Sequence, residues 1–397
     1  MQFSDSISRI SVSTTAAVIQ KAAQLKAGGV SVVDFGAGEP DFPTPENIKR
    51  AAIEALGQDF TKYTPTGGIL DLKKAIVERH AGDFGSHYMP EECLVTPGGK
   101  HAIFEAVAAT VNPGDEVILA IPYWVSYLDI IHYAGGKAVL LETREDEGFA
   151  VCAEAVERLV TSRTRLLVVN SPSNPAGAVI LPEEMEKLLA LAIRHQLLLI
   201  SDECYCHFLY GGKKPFSLGS SMNRENLVIA GSLSKTYSMT GWRVGFALGS
   251  APLIGNMLKL QSHSTSNPNS IAQKAALEAV RGPQDSVVSM LAEYARRRER
   301  ILTGLRSLPG IRCTAPEGTF YVYPNVSAYL ANDGLGSPTT LAERLLEEAH
   351  VAVVPGEAFG TREHVRISYA TSQEQIDEGL RRLGKFFAKR VPAYAEA

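Results

Sequence analysis

Between residues 93 and 249 the chain repeats one alternation, a short apolar run followed by a longer stretch whose apolar positions recur every three or four residues. The short runs are CLVTP (93–97), EVILAIP (116–122), KAVLLE (137–142), RLLVVN (165–170), LLLISDE (197–203), NLVIAG (226–231) and VGFALG (244–249). They have strand length and little of the apolar–polar alternation of a half-solvated strand, so both faces are expected to be covered. Between them, HAIFEAVAATV, SYLDIIHYAG and PEEMEKLLALAIRHQ carry helical spacing. Strands alternating with helices predict a largely parallel sheet with helices on its faces.

The last third changes character. A long charged helix, SVVSMLAEYARRRERILTGLRSL, leads to the shorter strands TFYVYP (319–324), VAVVP (351–355) and HVRISYA (364–370). This predicts a second, smaller α+β domain. The first forty or so residues have no sheet of their own and are expected to pack with it. The predicted class is therefore α/β, a large domain with a mostly parallel sheet covered by helices, plus a smaller α+β domain built from both chain ends. The expected bounds are 1–45 for the N-terminal arm and part of the small domain, 46–280 for the large domain, and 281–397 for a linking helix and the rest of the small domain.

Composition narrows the function classes. The 39 Lys and Arg against 43 Asp and Glu leave a net charge of −4, which offers no basic face for nucleic acid or an anionic membrane. The longest apolar stretch, LLALAI then LLLI, is broken by Arg194, too short to span a bilayer, and a cytoplasmic protein is expected. Five scattered cysteines fit a reducing compartment, and Cys204 and Cys206 form only C-x-C, without a second pair to bind a metal.

In an open parallel sheet, ligands bind beyond the carboxyl ends of the strands, so the residues that follow each apolar run carry the chemistry. After LVT comes PGGK, in which Gly98 and Gly99 open a helix; paired glycines there let backbone N–H groups approach an anion, or simply make a tight turn. No GK is followed by Ser or Thr, and FGAGEP is not G-x-G-x-x-G, which excludes the P-loop and nicotinamide-binding fingerprints. After LLVVN, the rigid turn SPSNPAG aims the Asn174 amide inward. LLLISDE delivers Asp202 at the end of a buried run, where a carboxylate must be protonated, paired with a cation, or used as a helix cap. After NLVIAG comes SLSKTYSMTGWRVG (232–245), with Lys235 between Ser232 and Ser234 and a second cation at Arg243. A lone lysine is ordinarily a surface charge. Partly desolvated beside another cation it becomes a nucleophilic amine, and lowering it from about 10.4 to about 7 takes roughly 4–5 kcal/mol. An anion cradle, a carboxylate, an oriented amide and such a lysine at the ends of one sheet are what pyridoxal phosphate requires.

At this point the chain resembles the class I pyridoxal-phosphate aminotransferases of fold type I, and among them the bacterial aspartate aminotransferases, including those that also act on prephenate. The resemblance runs through AGEPDF (37–42), KYTPTGG (62–68), TPGGK (96–100), PYWVSY (122–127), NSPSNPAGAV (170–179), SDECY (201–205), SLSKTYSMTGWRVG and HVRISYATS (364–372). It implies that Lys235 holds the cofactor covalently and moves the substrate α-proton. Asp202 would pair with the ring nitrogen, Tyr205 and Asn174 with the phenolic oxygen, and Trp124 would stack on the ring. Gly98, Gly99, Lys100, Ser232, Ser234 and Arg243 would surround the phosphate. Tyr63 would reach the phosphate of a neighbouring subunit, which implies a homodimer with shared active sites. Arg366 would bind the substrate α-carboxylate with help from the Gly38 backbone, although strand alternation alone places it on an exposed face with Ser368 and Ala370.

For the substrate, the segment QSHSTSNP (261–268) lacks the arginine that many aspartate aminotransferases use for the distal carboxylate. The resemblance instead implies Lys100 and Thr15 for that role, with His263 as another candidate, and aspartate, glutamate and prephenate as substrates. Two readings compete on the same cofactor: an aromatic or alanine aminotransferase, and a carbon–sulfur β-lyase. A cofactor-sensing regulator would carry a basic DNA-binding module, and the mildly acidic balance speaks against one.

Overall fold

The computed structural model describes residues 1–397 except 2, 12–13, 332–334 and 391–397, and describes the backbone alone for residues 14–19. Twelve strands are present among the described residues. The first is β1 (Val33–Asp34). Seven follow in the middle of the chain: β2 (Cys93–Thr96), β3 (Glu116–Ile121), β4 (Lys137–Glu142), β5 (Thr164–Asn170), β6 (Leu198–Asp202), β7 (Leu227–Ser232) and β8 (Gly245–Gly249). The last four are short: β9 (Tyr321–Val322), β10 (Val351–Ala352), β11 (Val354–Pro355) and β12 (Val365–Ser368).

The seven middle strands form one sheet in the order β2-β8-β7-β6-β5-β3-β4. All pairings are parallel except those of β8, which runs against both β2 and β7. Alternate side chains feed two apolar layers, as a pleated strand requires. Leu167 and Val169 join Leu199 and Ile229 on one face; Leu166 and Val168 join Ile200 and Val228 on the other. Helices Gly99–Thr110, Ser126–Tyr133 and Pro182–Arg194 lie where the helical spacing placed them. Because β8 pairs directly with β7, residues 233–244 return over a short path, and the segment holding Lys235 stays at the carboxyl edge of the sheet.

The chain ends meet. Val33 and Asp34 pair in parallel with Val351 and Ala352, and Val33 and Phe35 share an apolar cluster with Met290, Tyr294, Phe320 and Ile367. The run VAVVP divides between two strands at Val353, and TFYVYP keeps only Tyr321–Val322 as strand. Strand β12 is buried along its whole length between β11 and β9, so Arg366 is 2% exposed rather than solvent-facing. The alternation argument failed there because it assumes one solvated face, and this strand has none. Among the described residues, no helix is long and apolar enough to cross a membrane.

Candidate active site

Strand register assembles the site. Asn170 lies beside Asp202 at the carboxyl ends of β5 and β6, and β7 ends next to them at Ser232. The Ser232 hydroxyl accepts from the Ser234 N–H at 3.2 Å and caps a single helical turn, Leu233–Thr236. That turn carries Lys235 inward, where its Nζ donates to the Gly38 carbonyl. Burial holds the Lys235 amine below its ordinary value; Cys204 and Glu39 oppose this, and the guanidinium groups of Arg366 and Arg243 add to it.

Asp202 is 6% exposed. Its Oδ1 accepts from the Cys204 N–H at 3.1 Å and its Oδ2 from the Tyr127 hydroxyl. Burial raises the carboxyl to about 6, with Glu203 adding to the rise and the Tyr127 and Cys204 hydrogen bonds opposing it. Tyr127 was not expected from the sequence. It stands three residues after Trp124 and meets that ring edge-on at 5.2 Å, so a third aromatic in PYWVSY was the only signal.

On the opposite wall, Arg366 donates to Asn174 Oδ1 at 3.2 Å and to the Gly36 carbonyl at 2.9 Å. Its guanidinium covers the Tyr321 ring at 4.5 Å, and its Nε has no hydrogen-bond partner among the described residues. Tyr321, also unforeseen, shares a hydrogen bond of 2.8 Å with the Tyr205 hydroxyl. Gly38 packs closely against this wall, since a Cβ there would sit 3.2 Å from the Tyr321 hydroxyl and 3.9 Å from Arg366 Nη2.

The third wall is an anion cradle. Gly98 has φ +95 and caps the 12-residue helix Gly99–Thr110, whose first N–H groups open toward the cleft. A Cβ on Gly98 would lie 2.5 Å from Arg243 Nη2, so the guanidinium rests against this turn, where it also donates to the Thr240 carbonyl at 3.0 Å. Ser232 borders the same turn, 3.1 Å from where a Gly99 Cβ would be. Lys100 stands 5.0 Å over the Trp124 ring, its amine held below the ordinary value by burial and by Arg243. Ser234 is buried behind this wall.

Two of the expected residues are not drawn in, and a third is not described. Tyr63 is 92% exposed, on the segment between helices Glu46–Gly57 and Leu70–Phe84. His263 is exposed at the end of helix Ala251–His263. The side chain of Thr15 lies outside the described residues.

The arrangement suits pyridoxal phosphate on its own chemistry. Backbone N–H groups, Ser232 and Arg243 match a phosphate; a buried carboxylate needing a cationic partner matches a pyridine N–H; a proton-poor amine matches a carbonyl. The family model described as aminotransferase class I and II matches residues 30–383. The chain belongs to the class I and II aminotransferases. Pyridoxal phosphate is accordingly the cofactor of this aminotransferase. It is similar to the aspartate aminotransferase of Bacillus subtilis, 41% identical over 98% of this chain and 100% of the relative. It is also similar to the aspartate/prephenate aminotransferase of Thermus thermophilus, 45% identical over 95% of this chain and 96% of the relative. Among solved structures, the Rhizobium meliloti aspartate aminotransferase superposes with a TM-score of 0.93 at 39% identity, covering 98% of this chain and all of that one. The Thermus thermophilus enzyme with maleate gives 0.92 at 43% identity, covering 97% and 99%. The aminotransferase therefore has the fold-type-I architecture expected for it.

Proposed function

We propose that this aminotransferase moves amino groups between aspartate or glutamate and 2-oxo acids, with prephenate as a further acceptor, and that it works as a homodimer with shared active sites. One observation carries the site assignment: Lys235 and Arg366 converge on one short segment, the amine on the Gly38 carbonyl and the guanidinium on the Gly36 carbonyl. A guanidinium beside a proton-poor amine suits the carboxylate and the Cα–H of an α-amino acid. Bound pyridoxal phosphate supplies the electron sink for the pair left behind when the α-proton departs.

This chain's residues do the rest. Arg366 and the Gly38 backbone hold the α-carboxylate, and the charge-assisted pair is worth roughly 1.5–3 kcal/mol. That grip sets the Cα–H bond toward Lys235, whose Nζ takes the proton and later returns it. Asp202, fixed by Tyr127 and the Cys204 N–H, holds the ring nitrogen cationic. Gly98, Gly99, Ser232, Ser234 and Arg243 hold the phosphate, and Tyr63 reaches it from the partner subunit. Trp124 covers the ring; Tyr205 and Asn174 bind its phenolic oxygen. The preference for a second carboxylate rests on Lys100, held over Trp124, and on Thr15 as the resemblance implies. Relatives named for aspartate and a structural neighbour with the dicarboxylate maleate support that preference.

The test is a set of half-reactions read by the absorbance of the bound cofactor, with aspartate, glutamate, alanine, phenylalanine and arogenate. Aspartate and glutamate should convert fastest. Preference for phenylalanine or alanine, or pyruvate released from cystathionine without an acceptor, overturns the substrate assignment. Lys100→Ala should lower efficiency on aspartate by roughly ten- to a hundredfold and on phenylalanine much less; equal losses would remove Lys100 from substrate selection.

A further inference from the structure

Tyr321 stands between the working residues of the site with no task yet assigned to it. It lies in β9, 1% exposed, opposite Ser368 of β12, the strand that carries Arg366. The Arg366 guanidinium covers its ring at 4.5 Å, and its hydroxyl meets that of Tyr205 at 2.8 Å. The same hydroxyl closes on Gly38, whose carbonyl holds the Lys235 amine. Two hydroxyls bring two protons, and the bond between them uses one. Tyr205 is otherwise enclosed by the rings of Phe208 at 6.0 Å and Phe320 at 5.6 Å, both edge-on and neither a polar acceptor. One O–H of the pair is therefore unspent among the described residues, and a buried donor left unspent is costly. Arg366 indicates which one. A cation over a ring makes its hydroxyl the readier donor, and the guanidinium covers the Tyr321 ring. Tyr321 then donates, and the proton left over belongs to Tyr205.

We propose that Tyr321 is a positioning residue whose O–H donates to the Tyr205 oxygen, turns the Tyr205 proton toward the phenolic oxygen of the cofactor, and strengthens that donation. This rests on the role proposed above for Tyr205. In a chain of two hydrogen bonds the first polarises the second, by about 10–30%. Burial pushes both hydroxyls up, so both keep their protons; Arg366 opposes the rise at each. The other ionisable groups facing the pair and Lys235 are Asp202, Glu39, Arg243 and Cys204. Burial pushes the Cys204 thiol up to about 12, so it stays neutral. Glu39 accepts from the Thr240 hydroxyl at 2.7 Å. Tyr321→Phe changes none of these charges and keeps the ring beneath Arg366. Its effect on the cofactor is therefore that of one hydroxyl.

The experiment uses the holoenzyme and follows the visible absorbance of its bound pyridoxal phosphate against pH. That absorbance reports the proton shared by the Lys235 nitrogen and the phenolic oxygen. A donor to the oxygen spreads its negative charge and weakens its pull on that proton, so losing the donor raises the midpoint. Tyr205→Phe should raise it by about one to two pH units, the scale of one hydrogen bond to a charged oxygen. Tyr321→Phe should raise it by about 0.2–0.5 unit and lower kcat, with KM for aspartate changed less than about twofold. In a Tyr205→Phe background the same substitution should add nothing, because it acts through Tyr205. A Tyr321→Phe midpoint that overlays wild type or falls, or an equal rise in both backgrounds, overturns the proposal. So does a KM that rises while the midpoint stays, which would make the hydroxyl a support for Arg366 alone. Tyr205→Phe is the reference. A midpoint that ignores it overturns the reading of Tyr205 itself; one that answers Tyr205→Phe but not Tyr321→Phe overturns only the relay.

Discussion

Asp202 shows how one residue ties stability to cofactor binding. Its carboxyl rises from an ordinary 3.8 to about 6 because folding buries it. A group raised in the folded state adds stability below its unfolded value and loses it as pH climbs through the folded one. Without cofactor, the ionised carboxylate therefore burdens the fold above about pH 6 by about 3 kcal/mol. Asp202→Asn removes the charge. The cofactor-free variant should gain on the cofactor-free wild type as pH rises from about 4.5 to 7.5, measured by urea unfolding; a difference that stays flat with pH would show that Asp202 is not the source. This residue was legible in the sequence, since four apolar positions before an acid at a strand end deliver a buried charge. Lys235 was legible for the same reason. Tyr127 and Tyr321 were not, because an aromatic inside an apolar motif looks like core until register puts its hydroxyl against Asp202 or Tyr205.

At the level of elements, the anion cradle depends on how closely β8 approaches the start of helix Gly99–Thr110. The antiparallel direction of β8 was not legible: VGFALG reads as one more buried strand, and only the short return from β7 fixes its sense. That return brings Gly245 so near that a Cβ there would sit 2.3 Å from the Gly99 nitrogen and 2.5 Å from the Gly98 carbonyl carbon. Both are backbone atoms and cannot swing aside. Gly245→Ala should push the helix start outward, costing about 1–3 kcal/mol of stability and weakening cofactor retention in dialysis. Gly255→Ala is the matched control. Gly255 lies inside helix Ala251–His263 with nothing within 4 Å of its would-be Cβ, so alanine there should stabilise by about 0.5–1 kcal/mol. Equal effects of the two substitutions on cofactor retention would refute close approach as the reason for Gly245.

For the whole molecule, the meeting of both chain ends was legible only as a lack: the first forty residues had too little strand to stand alone, and the pairing of β1 with β10 supplies the partner. The proposed dimer extends the same logic to Tyr63, which projects almost fully exposed from the folded chain. A tyrosine that contributes to a neighbour's phosphate site has a consequence a self-contained site lacks. Lys235→Ala should abolish turnover, by about a thousandfold or more. Tyr63→Phe should weaken cofactor retention by about tenfold, as loss of one hydrogen bond to a charged group does. In a mixed dimer of the two variants, one site combines the intact Lys235 of the Tyr63→Phe chain with the intact Tyr63 of the Lys235→Ala chain. Unfolding and refolding a mixture at limiting cofactor should then restore wild-type activity at that site, above what the Tyr63→Phe protein shows alone. If each chain completes its own site, every lysine-bearing site in the mixture keeps the Tyr63→Phe defect, and activity falls in simple proportion to dilution.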